Sequence, residues 1–203
     1  MSSTENIDNL SLNDKKKVLH VGCGPADITG IGCITDPENW IEHRLDIDPN
    51  AKPDYCCSML NMYHVPKDEY DLVFSSHCLE HVFSHEVRQV LWQFERVLKP
   101  GGIVMIYVPN LQQAAQFIVD NGILKKAYTT EDGNNIDIYP IDMIYGWVGA
   151  VAQGHEGMQH KTGFTPESLK LILQASGFIN VAIHPDEHFN LMAAAQKPTS
   201  LKE

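Results

Sequence analysis

Val18-Leu-His-Val-Gly-Cys-Gly-Pro25 carries an apolar strand straight into two glycines one residue apart. A second apolar run, Ile41–Ile47, closes on the acidic pair Asp46-Ile-Asp48. Glycine has no Cβ, so the backbone at Gly22 and Gly24 can approach a ligand closely. A carboxylate about 20 residues later, at the tip of the neighbouring strand, accepts hydrogen bonds from ribose hydroxyls. Together these features point to a cofactor that carries a nucleoside. G-x-G alone is a weak signal, so the rest of the chain has to agree with it.

The chain's 203 residues suit one domain with a sizeable core. A hydrophobic content of 43% with 20% charged residues is that of an ordinary soluble globular protein. No apolar run is long enough to span a bilayer. Met1 to Asp14 is polar and lacks the basic start and apolar centre of a signal peptide. The expectation is a flexible lead-in over residues 1–16 and a cytoplasmic protein. A net charge of −11 opposes a broad footprint on nucleic acid, whose binding rests on phosphate neutralisation. The five cysteines, Cys23, Cys33, Cys56, Cys57 and Cys78, are odd in number and include no C-x-x-C. They predict neither a disulfide framework nor a zinc site, but small buried hydrophobes in a reducing compartment.

Strands are expected at Lys17–Val21, Ile41–Ile47, Pro53–Cys57, Tyr70–Ser76 and Ile103–Val108. Among them YDLVFSS is continuous enough to be buried on both faces. Ser84 reads as the N-cap of a helix whose apolar residues Val87, Val90, Leu91, Phe94, Val97 and Leu98 recur at helical spacing. Lys99-Pro-Gly-Gly102 stops it. A helix is expected at Leu111–Asp120, and another after Thr165-Pro, which reads as an N-cap with proline at the first helical position. Phe178–His184 and His188–Gln196 are joined by too few residues for anything but an antiparallel hairpin. The sum is α/β, mostly parallel. Only a few residues separate Asp48 from the third run, fewer than a parallel crossover usually takes, so the pairing of that strand is open. From Asn110 to Gly163 the alternation stops for roughly fifty residues, too long for an ordinary connection.

The segment after Gly24, Pro-Ala-Asp-Ile-Thr-Gly-Ile-Gly-Cys, is a poor helix, and the third glycine of a dinucleotide fingerprint is missing. NAD and FAD place their pyrophosphate on the N-terminus of that helix. A nucleoside ligand without phosphate needs no such anion site, and S-adenosylmethionine is one.

VLHVGCGP, LDIDP, YDLVFSSHCLEHV, RVLKPGGIVMIYVP and GFTPESLKLILQASGF, in that order, resemble the class I S-adenosylmethionine-dependent methyltransferases, and within them the type 11 group. They cover most of residues 17–197. The most specific pieces are Leu79-Glu-His-Val82 and Leu98-Lys-Pro-Gly-Gly102. The resemblance implies a Rossmann-like sheet, mostly parallel with an antiparallel C-terminal hairpin, and helices on both faces. It implies one methyltransferase domain over residues 17–203, with an insertion at about 110–163 as lid or substrate region. It further implies that Gly22 and Gly24 line the methionine and ribose side, and that Asp46 binds the ribose hydroxyls. Ile47 would pack on the adenine, Ser58 and Met59 would meet its edge, and Ser76 and His77 would face the methionine end. His20 stands where the family commonly has an acid, and Ser58 where it often has one.

The implied reaction is an in-line displacement at an electrophilic methyl, in which alignment in a dry pocket does much of the work. His77, His81 and His160 are candidate catalytic bases, with His155 a further one. His77, His81 and His85 are spaced by four, which suggests a metal site on one helical face. A cap at Ser84 would separate them, so no metal is expected. Substrate choice is expected in the insertion, where Tyr128, Tyr139, Asp142, Met143, Tyr145, Trp147, His155, Met158 and His160 could form a pocket or lid. A dimer surface or helical buttress is the equal alternative. The leading function is methyl transfer from S-adenosylmethionine, leaving S-adenosylhomocysteine, to a small molecule or glycan or metabolite intermediate. No nucleic-acid or membrane partner is expected, and a homodimer stays open. The alternatives are a non-catalytic S-adenosylmethionine-binding partner subunit and an NAD-dependent oxidoreductase.

Overall fold

The computed structural model describes residues 15–130 and 135–199. All but the last two residues of the expected lead-in lie outside the described residues. Seven strands form one sheet: β1 (Lys16–Val21), β2 (Trp40–Asp46), β3 (Tyr55–Cys56), β4 (Tyr70–Ser76), β5 (Leu98–Pro109), β8 (Ile179–Pro185) and β9 (Asn190–Gln196). Their order is β3-β2-β1-β4-β5-β9-β8. β6 (Tyr128–Thr129) and β7 (Asp137–Ile138) make a separate antiparallel pair. β1 to β5 pair in parallel, and only β9, wedged between β5 and β8, runs against its neighbours. The strand order reverses between β1 and β4, the place where open α/β sheets bind ligands beyond the strands' carboxyl ends.

The third strand joins in parallel through residues 47–54 alone. So short a return is enough because only two residues pair, Leu45 with Tyr55 and Asp46 with Cys56. The turn is pinned by the Asp54 carboxylate, which accepts from the Arg44 amide at 2.7 Å.

The helices are α1 (Val87–Val97), α2 (Leu111–Asn121), α3 (Pro140–Tyr145), α4 (Val148–Ala152) and α5 (Pro166–Ala175). Helix α1 buries Val87, Val90, Leu91, Phe94 and Val97, one apolar stripe at helical spacing. Its N-cap is Glu86 and not Ser84. The Glu86 carboxylate folds back to accept from the Phe83 amide at 2.9 Å, which leaves Ser84 in the preceding turn. Thr165 caps α5 as expected, its hydroxyl accepting from the Ser168 amide at 3.1 Å, with Pro166 at the first position. The Lys99-Pro-Gly-Gly102 stop is itself the start of β5. The chain leaves α1 directly in extended form, because a residue before proline avoids the helical region.

The two faces of the sheet are covered unequally. Leu19, Val21, Val73, Val104 and Ile106 pack with α1 and α5 into the main core. The opposite face, with Val18, Leu72 and Phe74, meets Ile28, Ile31 and Ile34. Those residues belong to the segment that follows the glycine loop, whose only helical pieces are 3₁₀ turns at Ile28–Gly30 and Pro37–Asn39. Two glycines, a proline and β-branched residues in that segment disfavour a longer helix.

Lys197 closes the far end. Its ammonium is buried and donates to Asp68 Oδ1 at 2.7 Å and to the carbonyls of Glu95 and Leu98 at 2.8 and 2.9 Å. It thereby satisfies the carbonyls where α1 ends. Lys197→Met should lower stability by roughly 1–3 kcal/mol, the cost of unsatisfied buried acceptors, read from urea unfolding. The hydrogen bond from Lys197 also holds the Asp68 carboxyl below the usual carboxylate range. A carboxyl depressed on folding contributes stability that is present above its unfolded value, about 3.9, and is lost as pH falls through the lower folded value. Asp68→Asn should therefore lower the melting temperature near neutral pH, where the ionised carboxylate contributes in full, and flatten the acid limb so that variant and wild type converge at low pH.

Candidate active site

At the carboxyl edge, β1 ends in a loop whose shape is dictated by Gly22. Its φ of +68° is left-handed, and a Cβ there would stand 2.8 Å from Cys78 Cβ and closer still to its Sγ. The Gly22 amide donates to the Leu45 carbonyl at 2.8 Å, which draws the loop over the end of β2. Gly24, φ +51°, has open space where its Cβ would lie. Its amide donates to Asp46 Oδ2 at 2.7 Å, and the Asp48 amide donates to Asp46 Oδ1 at 2.8 Å. Ile47, between the two acids, is 73% exposed. Asp48 itself caps the 3₁₀ turn Pro49–Ala51 by accepting from the Asn50 amide. That leaves Asp46 as the carboxylate at the loop.

Ser58 lies two residues past β3, whose Cys56 pairs with Asp46, and the Asp46 carbonyl accepts from the Cys57 amide at 3.0 Å. Met59 is part-buried, its sulfur 3.7 Å from Cys78 Sγ beneath the glycine loop. Ser76 ends β4, and His77 after it is half-exposed with φ +48°, a conformation non-glycine residues seldom take outside turns and functional sites. The structure thus brings Gly22, Gly24, Asp46, Ile47, Ser58, Met59, Ser76 and His77 to one edge of the sheet.

His20 points away from this edge. It is buried on the thinly covered face, edge-on to Phe74, with Nδ1 2.9 Å from Glu42 Oε1. The other Glu42 oxygen accepts from the Ile28 amide at 3.0 Å. An acid does anchor the loop after the glycines, but from β2. Arg44 donates to the Gly24 carbonyl. Sequence reading missed both residues, since the register that sets Val18 beside Glu42 and His20 beside Arg44 has no local signal.

A second cluster forms behind His77. Glu80 lies in the 3₁₀ turn Leu79–His81 and is 1% exposed. His77 Nδ1 is 3.5 Å from its Oε1, and His160 Nε2 is 3.9 Å away. The His81 and His160 rings meet edge to face, 5.0 Å between centroids. All three imidazoles proposed as bases therefore meet here, whereas His155 is exposed and apart, and His85 stacks on Phe83. For His77, loss of solvent depresses the imidazole pKa, but the Glu80 carboxylate outweighs this and the net direction is up. For His160, burial wins and the pKa falls, with Glu80 opposing.

Residues 19–106 match a family model described as a methyltransferase domain. Over that span, which is less than half of the chain, the sequence is similar to the methyltransferase-domain family. No curated protein is significantly similar to it in sequence. Among solved structures, the CurJ carbon methyltransferase is similar with a TM-score of 0.58 at 16% identity, over 93% of this chain and 50% of that one. An S-adenosylmethionine-dependent methyltransferase from Mesorhizobium loti has a TM-score of 0.57 at 18% identity, over 89% of this chain and 90% of that one. The Burkholderia thailandensis 1,6-didemethyltoxoflavin-N1-methyltransferase was solved with 1,6-didemethyltoxoflavin and S-adenosylhomocysteine bound. It has a TM-score of 0.54 at 15% identity, over 92% of this chain and 73% of that one. The chain spans about half the length of the first of these structures. At such identities the likeness is one of fold.

The insertion that follows the matched span of the methyltransferase domain is built of α2, the β6–β7 pair, α3 and α4. Several of its expected pocket residues have structural work instead. The Asp142 carboxylate is buried and accepts from the amides of Tyr139 and Val148. Met143 is buried, and Tyr128 stacks on Phe189. Tyr145 and Met158 are exposed, and Trp147 borders on it. The expectation of buried cysteines holds for Cys23, while Cys33 and Cys56 are exposed. No helix among the described residues is long and apolar enough to cross a membrane.

Gly22→Ala combines a left-handed backbone, about 1–2 kcal/mol, with a clash of about 1–3 kcal/mol. It should lower the unfolding midpoint well beyond Gly24→Ala, which bears only the backbone cost. Parallel urea titrations of the two variants check this.

Proposed function

We propose that this chain transfers a methyl group from S-adenosylmethionine to a small-molecule acceptor, within one domain over residues 17–203. The observation that carries the reading is the glycine loop held on the Asp46 carboxylate, with exposed Ile47 beside it, at the switch point of the sheet. Each Asp46 oxygen has one backbone donor in the structure and retains acceptor capacity for a ribose hydroxyl. The open space over Gly24 suits a ligand lying against the backbone. A single 3₁₀ turn after the loop supplies no helix N-terminus for a pyrophosphate, which favours this cofactor over NAD.

When bound, the cofactor supplies an electrophilic methyl on a sulfonium. The roles of the chain's residues are binding and alignment. Asp46 would accept from the ribose hydroxyls, Ile47 would cover one adenine face, and Ser58 with Met59 would meet its edge. Gly22 and Gly24 would lie along the ribose and methionine, with Ser76 and His77 at the methionine end. The insertion at 110–163 would bound the acceptor side. Residues 161 and 162 donate from their amides to the Glu80 carbonyl at 2.8 and 3.2 Å, so part of the insertion is latched onto the turn next to His77. His77, His81 and His160 would then supply the polar wall of the acceptor end. The net charge of −11 disfavours nucleic acid as acceptor.

Calorimetric titration with S-adenosylhomocysteine tests the reading. Wild type should bind it and not NAD, and Asp46→Asn should weaken binding by about 1–3 kcal/mol, roughly 5- to 150-fold, through loss of charged hydrogen bonds. Binding with no methylated product across broad acceptor panels would favour a non-catalytic binding subunit. An unchanged dissociation constant in a folded Asp46→Asn protein would remove Asp46 from the ribose.

A further inference from the structure

Glu80 presents an unusual arrangement for a buried acid. It is 1% exposed, and neither carboxylate oxygen has a hydrogen-bond partner among the described residues. An ionised carboxylate held out of water without partners costs several kcal/mol, at least about 3. Two imidazole nitrogens lie close, His77 Nδ1 at 3.5 Å and His160 Nε2 at 3.9 Å, the latter beyond any hydrogen bond.

The two inner imidazoles are fixed in a particular way. His81 Nδ1 lies 3.0 Å from the Gln159 carbonyl, and His160 Nδ1 lies 2.9 Å from the Met143 carbonyl. A carbonyl only accepts, so in both rings the proton is on Nδ1 and the neutral ring offers its lone pair at Nε2. Metal-binding histidines are held in this manner, by a backbone or carboxylate acceptor on the nitrogen that does not ligate. One ligand atom from each of Glu80, His81 and His160 falls within 4.8 Å of the others. Lone pairs and a carboxylate thus converge where no donor satisfies them.

The convergence is built into the fold. Gly146, φ +94°, lets the chain at Met158 pass so near that a Cβ would stand 3.0 Å from the Met158 carbonyl carbon. The His160 amide then donates to the Tyr145 carbonyl at 3.1 Å, and the Lys161 and Thr162 amides clasp the Glu80 carbonyl. These bonds lock the insertion to the turn after β4 at the one place where the three side chains meet.

We propose that Glu80, His81 and His160 bind a divalent transition-metal ion of the zinc or iron(II) kind. Two imidazoles and one carboxylate suit these ions, whereas magnesium and calcium prefer all-oxygen shells. Bond lengths of about 2.0–2.2 Å require the donors to close by roughly an ångström, which rotation of the side chains supplies. Three protein ligands leave coordination positions for water or an oxygen donor. Histidines spaced by four hinted at a metal in the sequence, but on His85, which the structure places elsewhere.

The test uses the full chain, stripped with a chelator and dialysed against Co²⁺ or Zn²⁺, with bound metal counted and the Co²⁺ absorption recorded. About one ion per chain is expected. His81→Ala and His160→Ala should each weaken binding on the order of 100-fold. His85→Ala and the double variant Cys33→Ser, Cys56→Ser should leave it unchanged. Since a ligand variant can fail to fold, the unaltered chain supplies a second readout. Saturating Zn²⁺ should protect His81 and His160, but not His85, from diethyl pyrocarbonate, mapped by mass spectrometry. The proposal is overturned if no ion binds, if binding follows the cysteines and not the histidines, or if His81 and His160 react equally with and without Zn²⁺. Neither readout needs S-adenosylmethionine or turnover, so it stands or falls apart from the transfer reading.

Discussion

The carboxylate of Asp46 holds two loops at once, and the ligand edge of the sheet takes its shape from that. One oxygen accepts from Gly24 in the loop after β1, the other from Asp48 in the loop after β2. The carbonyl of the same residue accepts from Cys57 just beyond β3. Hydrogen bonds to an ionised acceptor are short and about twice as strong as neutral ones. Three chain segments that follow parallel strands are therefore tied to one residue. The carboxylate proposed to bind the ribose is also the group that gives the glycine loop its form.

That arrangement compensates for a thin scaffold. In the segment after the glycines, single 3₁₀ turns stand where a nucleotide-binding fold has its first helix. Something else must hold the loop down, and Glu42 does so, bridging His20 on one oxygen and the Ile28 amide on the other. His20 looked misplaced as a residue near a cofactor. In the structure it is a buried partner for the acid that anchors this segment.

Legibility in the sequence followed how local each cause is. β4 lies at Tyr70–Ser76 as read, because YDLVFSS is apolar without interruption. The start of α5 was legible because Thr165 and Pro166 determine it within one turn. The glycine loop and Asp46 were readable because spacing along two adjacent strands suffices. Features decided by register or by long returns were not. The Glu42–His20 pair needs the alignment of β1 with β2, and the meeting of Glu80 with His160 needs the path of the whole insertion. Ser84 was misread as a cap because Glu86, two residues on, can reach back to the same loop with a longer side chain.

The central claim is that the edge made by Gly22, Gly24, Asp46 and Ile47 is a nucleoside site for S-adenosylmethionine. A crystal structure of the chain with S-adenosylhomocysteine tests it most directly. The account predicts both ribose hydroxyls within hydrogen-bond distance of the Asp46 carboxylate and the adenine resting on Ile47. A ligand bound elsewhere, or ribose hydroxyls that leave Asp46 untouched, would contradict it.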